Sequence, residues 1–365
     1  IILKWAYQTD EVLTKASDEE LKKGNNPGPM TEIKFWDAKC MNLESLFEQM
    51  KADLTKKMAS ILNVTDSAYY PCFKSMFRSV VAALNEALDI TMHLKPLTEH
   101  FLALENAEFS DVRPLFSPLM HALCLVYCNS EYYSTTARVI ILGQEICNLL
   151  VEMARKFLDP TSIFQIEVEE GLDKVKLSIR NLKEFKTCFQ EYKTALPSYF
   201  TDQGKPAKTW EGVQEPLVFT RYDSFVTRLE VMMEFFNTAV QFLKLEKVEI
   251  GGIRGKALTS NINKVYEEFR DLYSVFSMRT YDALDPMDKG FIKDYQKFNE
   301  KVFALDRKLG AILSRAFDDC IISESIFKLL HIFGTLVERR LIAMELSDKM
   351  PMLLEMLNNE LDGAK

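Results

Sequence analysis

The apolar residues of this chain recur in alternating steps of three and four. From Trp36 the series runs Trp36, Cys40, Leu43, Phe47, Met50, Leu54, and the rhythm returns in Phe225, Leu229, Met232, Phe236, Val240, Leu243 and in Phe298, Val302, Leu305, Leu309, Ile312. Further seams run through Leu172, Val175, Ile179, Leu182 and through Ile262, Val265, Phe269, Leu272, Phe276. Such steps lay one greasy stripe along an α-helix and average 3.5 residues, the spacing at which helices pack at shallow angles with knobs in holes. With only 13 glycines and 12 prolines in 365 residues, few tight turns are available. The pattern predicts an all-α fold, an elongated array of successive helical bundles with long antiparallel helices.

Clusters of Pro, Gly, Asn and Asp punctuate this pattern at residues 63–71, 106–118, 159–160, 197–216, 251–255 and 284–288, and at Pro96. The widest break, TDQGKPAKTWEGVQEP, is taken as a linker at residues 201–216. It separates a first segment, 1–63, and a second, 64–200, from a third, 217–365. Helices between breaks are expected to run roughly 20 to 40 residues, about 30 to 60 Å at 1.5 Å per residue. The turn Pro27-Gly28-Pro29 stops whatever precedes it, and Thr31 with Glu32 supplies a start signal for the next helix. The strand-like run at residues 248–253 is too short and glycine-rich for a sheet and reads as a turn.

Net charge is -8, and no Lys/Arg run exceeds Arg339-Arg340, so neither a nucleic-acid nor an anionic-membrane surface is expected. No uninterrupted apolar stretch is long enough for a spanning helix. The first residues carry apolar positions at Ile2, Trp5, Val12 and Leu13 without an initiator Met, which reads as a start partway through a helix. Seven cysteines at irregular spacing do not form the framework of a small disulfide-stapled domain, and fit a reducing, cytosolic setting.

Candidate chemistry is sparse. GGIRGKAL at 251–258 lacks the four residues between glycines and the Ser or Thr after Lys256 that a phosphate loop needs. His121, Cys124 and Cys128 share a helix face and would offer soft metal ligands, but no fourth is evident nearby, and core packing is the expectation. Asp318-Asp319 resembles half of the magnesium-binding acidic motif of helical prenyl-diphosphate enzymes, but Cys320-Ile321-Ile322 follows. None of His93, His100, His121 or His331 has the Glu three residues earlier that a di-iron bundle requires. Glu167, Glu169, Glu170 and Asp173 read as a solvated helix face. No nucleophile elbow is present. A helical enzyme would instead need a concave pocket with convergent ionisable groups.

The stretch PGPMTEIKFWDAKCMNLESLFEQM resembles the G-P-x-x-E-x-x-F-W…N-L…Q-L signature near the start of the dynein heavy-chain tail. It matches at Gly28, Pro29, Glu32, Phe35, Trp36, Asn42, Leu43 and Gln49, and departs at Asp37, where a basic residue is common, and at Met50. Residues 245–269 and 316–342 resemble later tail segments in order, with wording similar to axonemal outer-arm chains. The resemblance implies a non-catalytic stem that joins heavy chains to one another, to intermediate and light chains, and to docking components on the doublet microtubule. It places ATP and magnesium in a motor region elsewhere, with no cofactor here, and implies an axonemal location. Trp36 is expected in the core, with Phe35 widening its buried face. A generic helical tether or spectrin-like rod, unrelated to a motor, would share the periodicity but not these blocks.

Overall fold

The computed structural model describes residues 2–15, 26–199, 208–248, 250 and 252–363. Residues 201–207 of the expected linker, the side chain of Ile2, Gly251 and the side chains of residues 253 and 254 lie outside the described residues. Among those described, fourteen α-helices and four short 3-10 turns form the protein, and no strand occurs. Seven helices have 22 to 30 residues and fall within the expected lengths: α2 (Met30–Lys51), α4 (Tyr69–Leu94), α7 (Thr136–Leu158), α8 (Val168–Ala195), α9 (Glu215–Leu243), α10 (Gly252–Ser277) and α11 (Lys289–Asp318). The other seven, of 7 to 17 residues, are α1 (Ile2–Lys15), α3 (Asp53–Val64), α5 (Leu97–Asn106), α6 (Arg113–Asn129), α12 (Ser323–Phe333), α13 (Arg340–Leu346) and α14 (Lys349–Gly363).

The helices fold into two compact units. Unit 1 comprises Ile1–Phe157 and Leu177–Val226; unit 2 comprises Leu158–Lys176 and Thr227–Lys365. Thus α8 and α9 contribute residues to both, and the described part of the expected linker, residues 208–216, belongs to unit 1. Lys193 Nζ donates to the carbonyl of Val213 at 3.0 Å, and Trp210 is buried between Tyr127 and Phe189, with ring centroids 5.8 and 5.6 Å away.

In unit 1, α2 buries Ile33, Trp36, Cys40, Leu43, Leu46 and Met50, and packs this stripe on α4, which buries Phe73, Met76, Val80, Leu84, Ala87, Ile90 and Leu94. Both lists keep the three-four rhythm. The seam does not reach Leu54, which is 83% exposed. Ala52 turns extended, with ψ 147°, ending α2 at Lys51 and restarting the chain as α3 on a new axis. Thr55 Oγ1 donates to the Gln49 carbonyl at 2.8 Å and satisfies one of the acceptors left by that break.

Two punctuation marks behave differently from expectation. Pro118 lies inside α6 instead of ending a break, costing that helix one backbone bond while Pro114 occupies its first turn. A true break, which no Pro or Gly marks, falls at residues 130–135. Side chains hold it. Ser130 Oγ donates to Asp89 Oδ2 at 2.5 Å, Tyr133 N–H donates to Ser130 Oγ at 2.8 Å, and Lys208 Nζ donates to the carbonyls of Tyr127, Cys128 and Ser130 at 3.3 to 3.4 Å. A lysine on the last carbonyls of a helix suits both the orphan acceptors and the dipole there.

Unit 2 is built around stacked phenylalanines. Phe235 lies 4.5 Å from Phe276 and 4.8 Å from Phe298, and Phe164 contacts Phe235, Phe236 and Phe291. The buried Arg228 guanidinium reaches three carbonyls of the turn before α11, donating to Ala283, Pro286 and Asp288 at 2.8, 3.2 and 2.9 Å. Asp288 then caps α11, accepting from Gly290 N–H at 2.7 Å.

Candidate functional site

The signature residues divide by side of α2. Glu32, Trp36 and Leu43 are buried at 2%, 5% and 0% exposure, whereas Asn42 and Gln49 point to solvent and Phe35 is half-buried. Positions 32, 36 and 43 share one helix face because four and seven residues close whole turns. Pro29 is buried at the helix entry, and the Pro27 carbonyl accepts from Asn148 Nδ2 of α7 at 3.1 Å. Gly28 O accepts from Thr31 N–H at 2.9 Å; a side chain at Gly28 would meet nothing within 4 Å, so sterics do not explain the glycine.

Glu32 is not the start signal expected of it. The helix begins at Met30 without a side-chain cap, and Glu32 turns inward. Its Oε1 accepts from the Tyr133 hydroxyl at 2.9 Å, and its Oε2 has no partner. Burial pushes the Glu32 carboxyl above the usual carboxylate range, against the lowering influence of the Tyr133 hydrogen bond, the neighbouring Trp36 indole N–H and the Arg138 charge. Arg138, in the first turn of α7, holds its guanidinium 5.1 Å from the Trp36 ring centre and binds both Glu86 of α4 and the Tyr132 carbonyl. Lys39 covers another side of Trp36, with Nζ at 4.8 Å, and Phe35 meets the indole edge-on at 5.4 Å.

One turn-pair along α7 from Arg138 stands Glu145, 2% exposed, with neither carboxyl oxygen hydrogen-bonded. Burial raises its pKa first and the Glu32 charge raises it further. Nothing in the sequence reading singled out Glu145, Tyr133 or Arg138. The available signal was a lone acid between Leu142 and Ile146 on the apolar stripe of α7.

The remaining candidates lie apart from this cluster. In unit 1, His121 is exposed and shares a 2.6 Å hydrogen bond with the Tyr199 hydroxyl, while Cys124 is buried and its thiol is pushed up to about 12 by burial. Among the described residues no three metal-ligating side chains converge, all seven cysteines are free, and no helix is long and apolar enough to cross a membrane. In unit 2, Asp318 pairs with Lys349 at 2.5 Å. Gly255 lies buried in α10, where a Cβ would come within 2.6 Å of the Ile250 carbonyl oxygen. It borders an open groove of about 970 Å³ lined by apolar residues such as Ile250, Leu258, Ile312, Ala316 and Leu329, with Arg315, Asp319 and Lys328 at polar positions.

Fold and site together define an all-helical protein whose signature glutamate and tryptophan are enclosed where α2 meets α7. The whole chain, residues 1–365, matches the family described as dynein heavy chain, N-terminal region 1. It is 45% identical over 365 residues to the ciliary dynein beta chain of Heliocidaris crassispina, covering 100% of this chain and 8% of that relative. Similarity to dynein axonemal heavy chain 9 of Homo sapiens is 41% over 364 residues, again 100% of this chain and 8% of the relative. To the flagellar outer-arm dynein beta chain of Chlamydomonas reinhardtii it is 37% over 350 residues, 95% of this chain and 8% of the relative. The chain belongs to the dynein heavy chain family, in its N-terminal region. It spans about 8% of the length of these relatives.

Proposed function

We propose that this chain is a non-catalytic stretch of the tail of an axonemal dynein heavy chain, working as a mechanical stem. It joins its heavy chain to others, carries intermediate and light chains, and docks the arm on the doublet microtubule of the axoneme. ATP, magnesium and the power stroke belong to the motor region of the same polypeptide; nucleic acid and membrane are not its partners. The observation that carries this reading is the match of all 365 residues to the N-terminal region of dynein heavy chains. The structure supports it physically. Buried charged groups such as Arg228 and Asp306 are committed to holding a helix-entry turn and a helix pair together. Tightly packed helices transmit force because their interiors have low compressibility.

A spectrin-like rod unrelated to a motor is set aside by the family match. A helical enzyme built on the groove beside Gly255 would turn over ATP and lose that turnover on Lys256→Ala. Cross-linking mass spectrometry of intact axonemal arms tests the proposal. Links from lysines of this chain to intermediate chains, light chains or a second heavy chain are expected. Links confined to this chain, or ATP turnover by the chain alone, would overturn it.

A further inference from the structure

Three of the four carboxyl oxygens of Glu32 and Glu145 are buried without a partner. Two ionised carboxylates cannot satisfy one another, since both are acceptors only; a single proton turns one of them into a donor. The charges around them do not supply the deficit. Arg138 is the cation of the pocket, and it is already ion-paired to Glu86. Asp89 of α4 is engaged by Ser130, by the Tyr132 N–H and by His93. Lys39 of α2 lies over the Trp36 ring, and Arg221 of α9 donates to Asn148 at 2.6 Å. One guanidinium, already paired to Glu86, therefore acts on Glu32, and no cation is paired with Glu145, in a place where an uncompensated charge is expensive.

The two acids are not equivalent. Glu32 receives the Tyr133 hydroxyl, which favours its charged form, whereas neither oxygen of Glu145 receives any donor. We propose that unit 1 holds one titratable proton on this pair, Glu145 as the neutral acid and Glu32 as the carboxylate, so that α2 is locked against α7 up to neutral pH and released on alkalinisation. The raised Glu145 pKa, from burial and the Glu32 charge, agrees in direction with this geometry. The proposal does not rest on the tail reading, and would stand in any protein with this interior.

The sign follows from linkage. An acid that binds its proton more tightly in the native state contributes stability that is full below its unfolded pKa, about 4.3 for Glu. That contribution falls as pH rises, the folding constant losing about tenfold per pH unit while the native pair keeps its proton. Glu145→Gln keeps a donor of similar shape and removes the titration.

The test compares the wild-type chain with Glu145→Gln, Glu32→Gln and the surface control Glu105→Gln. Urea unfolding at pH 7 is expected to release about one more proton per molecule from wild type and the control than from Glu145→Gln. The native wild type at pH 7 is expected to show the infrared carbonyl stretch of a protonated carboxylic acid. That band is expected to vanish on alkaline titration and in Glu145→Gln, and to persist in Glu32→Gln. Equal proton release from wild type and Glu145→Gln, or no such band in the native wild type, would overturn the proposal. The band is read on the wild type, so the proposal remains falsifiable even if Glu145→Gln does not fold.

Discussion

Arg339 grips Asp306 through two side-by-side hydrogen bonds, Nε to Oδ1 at 2.6 Å and Nη2 to Oδ2 at 2.9 Å. Its remaining amino group donates to Gln241 at 2.9 Å, and the guanidinium stacks 5.1 Å from the Phe242 ring centre. Asp306 is 3% exposed and lies on the buried face of α11, so this fork ties the start of α13 to the aromatic interior of unit 2. Removing one partner strands a buried charge. Arg339→Ala is expected to cost unit 2 about 3–5 kcal/mol. Arg339→Lys recovers only part, because an ammonium cannot form the planar fork. Hydrogen exchange across α11 and α13 checks this; unchanged protection in Arg339→Ala would reject the assignment.

Trp36 is held on every side, by Phe35, Lys39 and Arg138, and is 5% exposed. Trp36→Ala leaves a large cavity beside two buried acids and is expected to destabilise unit 1 by roughly 3 to 5 kcal/mol. A melting midpoint that does not move on this substitution would contradict a core role for the ring.

Lys208 closes the end of α6 from a distance of some eighty residues, donating to three carbonyls and to Ser134 Oγ at 2.5 Å. Lys208→Met keeps the aliphatic stem and removes the donor. The expected cost is about 1–3 kcal/mol, the range for buried acceptors left unpaired. Faster amide exchange confined to residues 128–135 and their neighbours is the expected signature; a uniform change across unit 1 would count against a local cap.

Gly255→Ala puts a methyl group within 2.6 Å of the Ile250 carbonyl oxygen and 2.8 Å of its carbon. Backbone cannot yield as a flexible side chain does, so overpacking of about 1–3 kcal/mol is expected. A midpoint equal to that of wild type would show that the entry to α10 has more room than the structure gives it.

Much of the helical content was legible, for a simple reason. A stripe at three-four spacing is a local property, and Trp36, Cys40, Leu43 and Met50 are all buried as their spacing requires. Legibility stopped where a contact came from far along the chain. Leu54 continued the arithmetic of the seam, but α2 ends at Lys51 because Ala52 leaves the helical region. Pro118 read as punctuation, yet it is absorbed near the start of α6. The break at residues 130–135 carried no glycine or proline, because Asp89, Ser130 and Lys208 hold it in place of turn chemistry.

Periodicity alone thus determined that the described residues are mainly helical and which faces of their helices are greasy, since both follow from the pitch of an α-helix and the cost of wetting apolar surface. Tertiary structure decided how the helices are shared between two units, and turned Glu32 from a surface start signal into a buried acid facing Tyr133 and Glu145. The reason is physical: the burial of a charge depends on which distant side chains enclose it, and the spacing of residues along one helix carries no record of those neighbours.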